Sequence, residues 1–519
     1  MILATQTGMT WLDGAVIGLY AAGMLVIGGF YALGNRTTED YHLGGRNMRS
    51  SSIGLSLFAT LFSTITYLAL PGEMINKGPV LLCYLFGLPV AYAVVAYLLI
   101  PHFMKLKTSS AYEILETRLG LGIRMIGSCI FLVTRLLWMS LITYITADKL
   151  IVTVMGWDPA RTLPVAVCIG LVTLIYTSMG GLRAVVMTDV VQSLILFGAA
   201  LTAIVVITVR LGGVGAWWPR TWSPTWEHQP LFSLDPRVRV TVVGSLVYMT
   251  LWWICTSGSD QMAIQRYLAT RDVRAARRAL LLTLGANILV NLVLAGVGLA
   301  LLGFFRAHPP PGLSIVRDAD KLFPYYIVHY LPPGVTGLVL AGLLAAAMSS
   351  LSSGINSACS VISADFFDRF SRRPASEQVR LRRQIYISAA VGVVTVIGSV
   401  QMMKLARGVN IMELTTRTNH VFVAPLFGLF FMALFVPFAT PRGTAAGALA
   451  GWLVGGFLSF WGLLAPGSAP SFQWITLVAL IVHLAVGCGV SLLEGGPRPR
   501  PAEQPGAAAV AGEVQGDPP

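Results

Sequence analysis

Residues 341–357 read AGLLAAAMSSLSSGINS. On a helix, Ser349, Ser352, Ser353 and Asn356 fall at i, i+3, i+4 and i+7 and share one face, with Ser350 on the adjoining face. Hydroxyl oxygens gathered on an apolar helix are hard ligands, suited to a hard cation rather than a soft metal. Back-bonding of each serine to the carbonyl four residues earlier is the plainer alternative, and it accounts for one or two serines more readily than for four. Ala345, Ala346 and Ala347 let a second helix approach closely.

Two further apolar stretches carry small, polar, helix-weakening residues. One is SLFATLFSTIT at 56–66, followed by Pro71-Gly72; the other is CTSGSDQ at 255–261, roughly 195 residues on. A helix facing lipid must keep its backbone hydrogen bonds internal. Interrupted helices at matching positions in two halves point to an inverted-repeat transporter, with free carbonyls and helix ends at midplane. A Ser/Thr-rich packing seam is the alternative for either stretch alone.

Charges inside apolar runs add to the pattern. Asp189, near one end of its run, is costly there and therefore functional by default, with Arg183 as a simple structural partner. The planar fork of Arg135 suits a carboxylate, and pairing with Asp148 or Glu73 is an equal reading. Asp260 and Arg266, in SGSDQMAIQRYL, read as an inner gate or as plain interface charges. No GxxxxGK[ST], HExxH or GxSxG occurs, so neither ATP nor an enzyme chemistry is expected. The six cysteines show no ligand spacing and read as small buried hydrophobes.

The elements that must position these residues follow from composition. Of 519 residues, 55% are hydrophobic and 11% charged, against about 25% charged in a soluble chain. That excludes soluble enzymes and leaves an all-α polytopic membrane protein in a lipid bilayer. The net charge of +13 belongs to loops that stay on one side of the membrane, not to a nucleic-acid surface. Thirteen spans of about 20 or more apolar residues are expected, near 11–33, 53–75, 80–104, 124–154, 163–180, 184–211, 238–262, 279–305, 335–364, 383–404, 413–437, 443–465 and 474–493. Lys and Arg favour alternate loops by about two to one, which predicts the N-terminus outside and the C-terminus in the cytoplasm. The expected division is an outer tail, first span and inner loop (1–52), a first repeat (53–211), an outer loop (212–237), a second repeat (238–438), two final spans (439–494) and a disordered cytoplasmic tail (495–519). In the outer loop, Trp217, Trp218, Trp222 and Trp226 read as interfacial anchors, or as a lid over a vestibule.

Through YTSMGGLRAVVMTDVVQ, DQMAIQRYLAT and LLAAAMSSLSSGINSACSVISADFF, the chain resembles the sodium/solute symporter family of sodium–glucose, sodium–proline and sodium–sialic acid transporters. The resemblance implies a five-plus-five inverted-repeat core with broken first and sixth core helices, and Na+ as coupling ion. It implies a main sodium site from the carbonyls of Ala59, Phe62 and Ala346 and the hydroxyls of Ser349 and Ser350. A second sodium, present in some members, maps onto Asp189, Ser349, Ser352 and Ser353. Ser63, Thr66 and Arg135 match the residues that face a solute carboxylate, while the family's inner-gate tyrosine falls at Thr256. The pocket is nearest the sialic acid group, although one hydroxyl of that group falls at Leu61. The expected function is sodium-coupled import of a small organic solute bearing a carboxylate, of sialic acid or monocarboxylate type, through a bacterial inner (plasma) membrane. A sugar or amino-acid symporter, and a solute sensor without transport, are the rival readings; no oligomer is implied.

Overall fold

The computed structural model describes residues 9–32, 37–105, 110–153, 155–226, 228, 230–371, 376–405, 411–465 and 470–495. The tail expected at 495–519 lies outside them, Gly495 excepted. Among the described residues the regular structure is helical: α1 (Trp11–Ala32), α2 (Ser50–Leu61), α3 (Thr64–Asn76), α4 (Pro79–Phe103), α5 (Leu121–Val152), α6 (Thr162–Arg210), α7 (Val242–Ser259), α8 (Gln261–Leu268), α9 (Val273–Ala307), α10 (Ala319–Tyr330), α11 (Val335–Val361), α12 (Glu377–Leu405), α13 (Ile411–Phe435), α14 (Pro441–Leu464) and α15 (Phe472–Leu493). Nine helices there are long and apolar enough to cross a membrane, and α2 with α3 forms one further span bent by 66°.

Each predicted span overlaps a helix, but among the described residues ten segments rather than thirteen are long and apolar enough to span, and two predictions merge. At about 1.5 Å per residue, the 49 residues of α6 would run about 74 Å if straight, more than twice a hydrocarbon core of about 30 Å. The helix is turned at Gly181 (φ 57°, ψ −156°), where a side chain would fall within 2.7 Å of the Tyr41 carbonyl oxygen. The fifth and sixth predicted spans therefore lie on either side of this glycine.

The two broken helices differ. Between α2 and α3, Phe62 (φ −93°, ψ 112°) and Ser63 (φ −104°, ψ 163°) are extended. The second break is narrower than the seven residues expected: α7 stays helical through Ser259, and only Asp260 is extended (φ −80°, ψ 124°). The backbone ladder stays closed up to the break, with Asp260 N donating to the Thr256 carbonyl at 3.0 Å, while the Ser259 hydroxyl donates back to the Cys255 carbonyl at 2.8 Å. The Asp260 carboxylate then caps α8, accepting from Met262 N at 2.9 Å.

The serine helix α11 is the centre of the bundle. Every residue from Val339 to Val361 is buried, against α6, α1, α5 and α2. Its first turn is capped from the first helix: the Asp13 carboxylate of α1 accepts from the amides of Gly334 and Gly337 at 2.7 and 2.8 Å. Close approach also holds α3 to α9, where a side chain on Gly298 would meet the Pro71 carbonyl at 2.6 Å.

Candidate functional site

The first break and the serine helix meet directly. The Ser349 hydroxyl donates to the Ala59 carbonyl at 2.8 Å and to the Ala346 carbonyl at 3.2 Å. The Ser350 hydroxyl donates to the Thr60 carbonyl at 3.0 Å. The extended angles of Phe62 take its carbonyl out of the helical ladder, and its side chain is buried. Ala59, Thr60, Ala346, Ser349 and Ser350 are thus joined by three hydrogen bonds at the end of α2, and Phe62 lies at the break just beyond them. Ser63, at the break, is buried and Thr66, one turn on, is half-buried.

A charged cluster lies one turn deeper. Asp189 is fully buried, and its Oδ2 accepts from Ser56 Oγ (2.6 Å), Arg266 Nη2 (3.1 Å), Thr60 Oγ1 and Ser353 Oγ (each 3.4 Å). Arg266 also donates from Nε to Ser56 Oγ at 2.9 Å and, through Nη2, to Ser353 Oγ. Ser352 is next to this cluster, but its hydroxyl donates to the Ser349 carbonyl at 3.1 Å. The partner of Asp189 is therefore Arg266 and not Arg183, which donates to Asp40 at 3.2 Å. Both charges are inaccessible, and removing either would leave the other buried alone, at a cost of about 3–5 kcal/mol.

Asp260 and Arg266, read as an inner gate or as interface charges, do not pair with each other. Arg266 goes to Asp189, while Asp260 accepts from Arg135 Nη2. The alternatives named for Arg135 are taken as well: Glu73 pairs with Arg239 at 2.7 Å and Asp148 with Lys149 at 3.0 Å. Register explains the exchange. The break at Asp260 starts a new helix, so Arg266 turns toward α2 and α6, while the Asp260 carboxylate, extended from the break, meets Arg135 on α5. Arg135 is buried and its stem packs against Gly354. Thr256, one turn before the break, is buried with no partner for its hydroxyl.

The model of the sodium:solute symporter family matches residues 41–455, about four-fifths of the sequence. The chain belongs to the sodium:solute symporter family. It is a polytopic membrane transporter, not an enzyme, and sodium is its coupling ion. The symporter is 28% identical over 438 residues to the sodium/sialic acid symporter SiaT of Proteus mirabilis, covering 82% of this chain and 85% of that protein. It is 29% identical over 429 residues to the human sodium-coupled monocarboxylate transporter 1, covering 81% and 69%. A substrate-bound, outward-open Na+-coupled sialic acid symporter superposes with a TM-score of 0.79 at 25% identity, covering 94% of this chain and 98% of that one.

The two ends of the symporter are unlike. At the end that carries Asp13, a cavity of about 450 Å3 opens beside Ile65, Leu68 and Ala69 of α3, across from Lys149 and from Lys321, Tyr325 and His329 of α10. Of the loop tryptophans, Trp217 and Trp226 are buried, over Gly303 and Gly78, while Trp218 and Trp222 are exposed. At the opposite end, the stretch of residues 110–112 ahead of α5 is pinned beneath the second break. Ala111 N donates to Gln261 Oε1 at 2.9 Å and Tyr112 OH to the Ser259 carbonyl at 3.1 Å. A latch holds it there. Arg124 donates to Asp365 and to Glu116, each at 2.5 Å, and Arg369 donates to Glu116 at 2.6 Å. Ser110 and Ser128 complete the shell of Asp365 at 2.9 and 2.6 Å. These two arginines hold the Glu116 carboxyl below the usual carboxylate range, Arg369 first.

Proposed function

We propose that this symporter imports a small organic solute bearing a carboxylate, of sialic acid or monocarboxylate type, with one or two sodium ions. The setting is a bacterial inner membrane with the N-terminus outside, and the two repeats are 53–211 and 238–438. Sodium occupies the oxygens of Ala59, Phe62, Ala346, Ser349 and Ser350 and ties the first break to the serine helix. The single observation that carries this reading is the pair of seryl bonds, Ser349 to Ala59 and Ser350 to Thr60, that join the serine helix to the end of α2 just before that break. The same oxygens that bond one another here are the hard donors a sodium ion needs. Asp189, with Ser349, Ser352 and Ser353, forms the second cation site.

The solute enters through the 450 Å3 cavity and settles over Ser63 and Thr66. Its carboxylate competes with Asp260 for Arg135. Winning that contest frees Asp260, which sits above the segment pinned by Gln261 and Ser259, and so links solute binding to the latch. Loss of sodium to the cytoplasm releases the tether. Each ligand shifts the balance only by its differential affinity for the two states. A membrane potential supplies about 2.3 kcal/mol per charge at 100 mV, and about 1.4 kcal/mol is tenfold, so each net positive charge supports roughly a 40-fold solute gradient. An anionic solute cancels one charge, which gives a second sodium its use.

The test is uptake into proteoliposomes of radiolabelled sialic acid, pyruvate, glucose and proline, with an inward Na+ gradient and without one. Gradient-dependent accumulation of a carboxylate, suppressed by Ser350→Ala, is expected. Equal uptake in the two conditions would refute sodium-driven import, and accumulation of glucose alone would refute the carboxylate reading.

A further inference from the structure

The strip of surface between α4 and α9, at the end opposite Asp13, carries a guanidinium that the fold fixes and leaves unused. Ile100 N reaches back to the Val95 carbonyl, one residue beyond its α-helical partner Ala96, and Pro101 has no N–H to offer. The Ala96 carbonyl thus loses both donors its own helix could give. Arg277 of α9 supplies one instead, its Nε donating at 2.8 Å. The same guanidinium lies over the Tyr97 ring, 4.5 Å from the centroid. Nε and the flat face are spent in holding the side chain, and neither Nη of Arg277 has a protein acceptor among the described residues. A planar fork held at its root with both tips free is shaped for two oxygens of one phosphate.

We propose that this strip binds an anionic phospholipid of the leaflet at that end, the cytoplasmic one in the orientation proposed above, with its phosphodiester on the Arg277 fork and an acyl chain along α9. Charge argues for the head. Arg274 and Arg278 are one turn apart beside Arg277, both exposed and, among the described residues, without an ion pair. Asp272 is the only acid between Gln261 and Ala307, and there is none between Pro79 and Lys105. Asp272 is itself engaged, with Arg271 at 3.1 Å and with Ala275 N at 2.7 Å, where it caps α9. The end of the helix is therefore closed by its own residue, and three arginines remain for an anion. A zwitterionic headgroup would bring its own cation against them. The preference of basic residues for one side of a membrane accounts for arginines here, but not for one that is stacked and hydrogen-bonded into a fork.

Register argues for the tail. Arg274, Arg278, Leu281, Gly285, Leu289 and Leu292 fall at i, i+4, i+7, i+11, i+15 and i+18, on one face of α9, and each is exposed. Gly285 has nothing within 4 Å of where a side chain would stand, which leaves a notch between leucines. From Arg278 to Leu292 is about 21 Å, against roughly 15 Å for the hydrocarbon of one leaflet. The apolar stripe thus starts just below the arginines and runs the depth of an acyl chain. On α4, Tyr97 and Leu98 are exposed at the level of the fork. Residues 269–272 join the start of α9 to α8, so a lipid held here ties the base of the second broken helix to the bilayer.

The test is thermal unfolding of the full-length protein in detergent, titrated with short-chain phosphatidylglycerol, with phosphatidylcholine of the same chain length, or with inorganic phosphate. Only phosphatidylglycerol is expected to raise the melting temperature, and to do so saturably. At about fivefold per arginine near a headgroup, Arg274→Gln combined with Arg278→Gln should raise the half-saturating phosphatidylglycerol about 25-fold. The lipid-free melting temperature should stay unchanged, because neither side chain bonds to the fold. Arg277→Gln should weaken the lipid response and also lower the lipid-free melting temperature, since Arg277 holds the Ala96 carbonyl. Arg277→Lys, which keeps the charge and loses the fork, should weaken the response as well. Arg220→Gln, exposed in the loop between α6 and α7 at the other end, should leave it unaltered. Equal stabilisation by phosphatidylcholine would make the strip ordinary lipid-facing surface and overturn the proposal. The same shift with inorganic phosphate would make it a small-anion site and overturn the lipid reading. A phosphatidylglycerol response that survives the double variant would place the lipid elsewhere and overturn it too.

Discussion

Asp260→Asn isolates the contest for Arg135. Asp260 has two roles: its Oδ1 caps α8 at Met262 N, 2.9 Å away, and its Oδ2 takes Arg135. Asparagine caps a helix about as well as aspartate, so the break keeps its shape and only the charge is lost. The pair is mostly buried, with side-chain exposures of 7% and 14%, so its charge-assisted bond falls in the upper range of about 1.5–3 kcal/mol. Asparagine still offers Arg135 a neutral bond of about half that strength. The excess that a solute carboxylate no longer has to overcome is therefore about 1–1.5 kcal/mol, or between about fivefold and twelvefold in affinity. The assay is calorimetric titration of N-acetylneuraminate in saturating NaCl, with its methyl ester as the uncharged control. Asp260→Asn should tighten binding of the acid by that factor and leave the ester unchanged. Unchanged or weaker binding of the acid, or an equal gain for the ester, would refute the competition.

Other substitutions probe the remaining parts. Ser350→Ala removes the bond to Thr60 O and should raise the half-saturating Na+ for uptake about fivefold, near 1 kcal/mol; a serine that only packs would leave it unchanged. Gly181→Ala forces a side chain into backbone angles almost reserved for glycine and against Tyr41, which should cost about 1–3 kcal/mol and show as a lower melting temperature in detergent. Glu116 is held below its ordinary carboxyl value of 4.5 by Arg369 and then Arg124. Its contribution to the latch is thus present above about pH 4.5 and lost as the pH falls through the depressed value. Thiol labelling of Ala111→Cys should therefore be slow near neutrality and quicken in acid, and Glu116→Gln should label quickly at every pH; a flat profile in the parent would take Glu116 out of the latch.

How much of this was legible in the sequence depends on the range of the interaction. The serine face of α11 follows from helical spacing alone, and the first break follows from its run of small polar residues. Which charge meets which does not. Asp260 and Arg266 are six residues apart and pair with Arg135 and Asp189, 125 and 77 residues away, because one extended residue resets the helix that carries Arg266. The width of the second break also escaped, since the polar stretch keeps its backbone ladder up to Asp260. Ser56 and Thr60 were missed as partners of Asp189, although their spacing of four already placed them on one face of α2. The cap of α11 by Asp13 had no local signal: donor and acceptor are over 320 residues apart.

Four helices end their polar contacts on Arg266 or on its carboxylate: α8 supplies the arginine, α2 supplies Ser56, α6 supplies Asp189 and α11 supplies Ser353. Whatever draws Asp189 off that guanidinium loosens parts of both broken helices in the same event, because Ser56 of α2 and Arg266 of α8 both lose their shared carboxylate together.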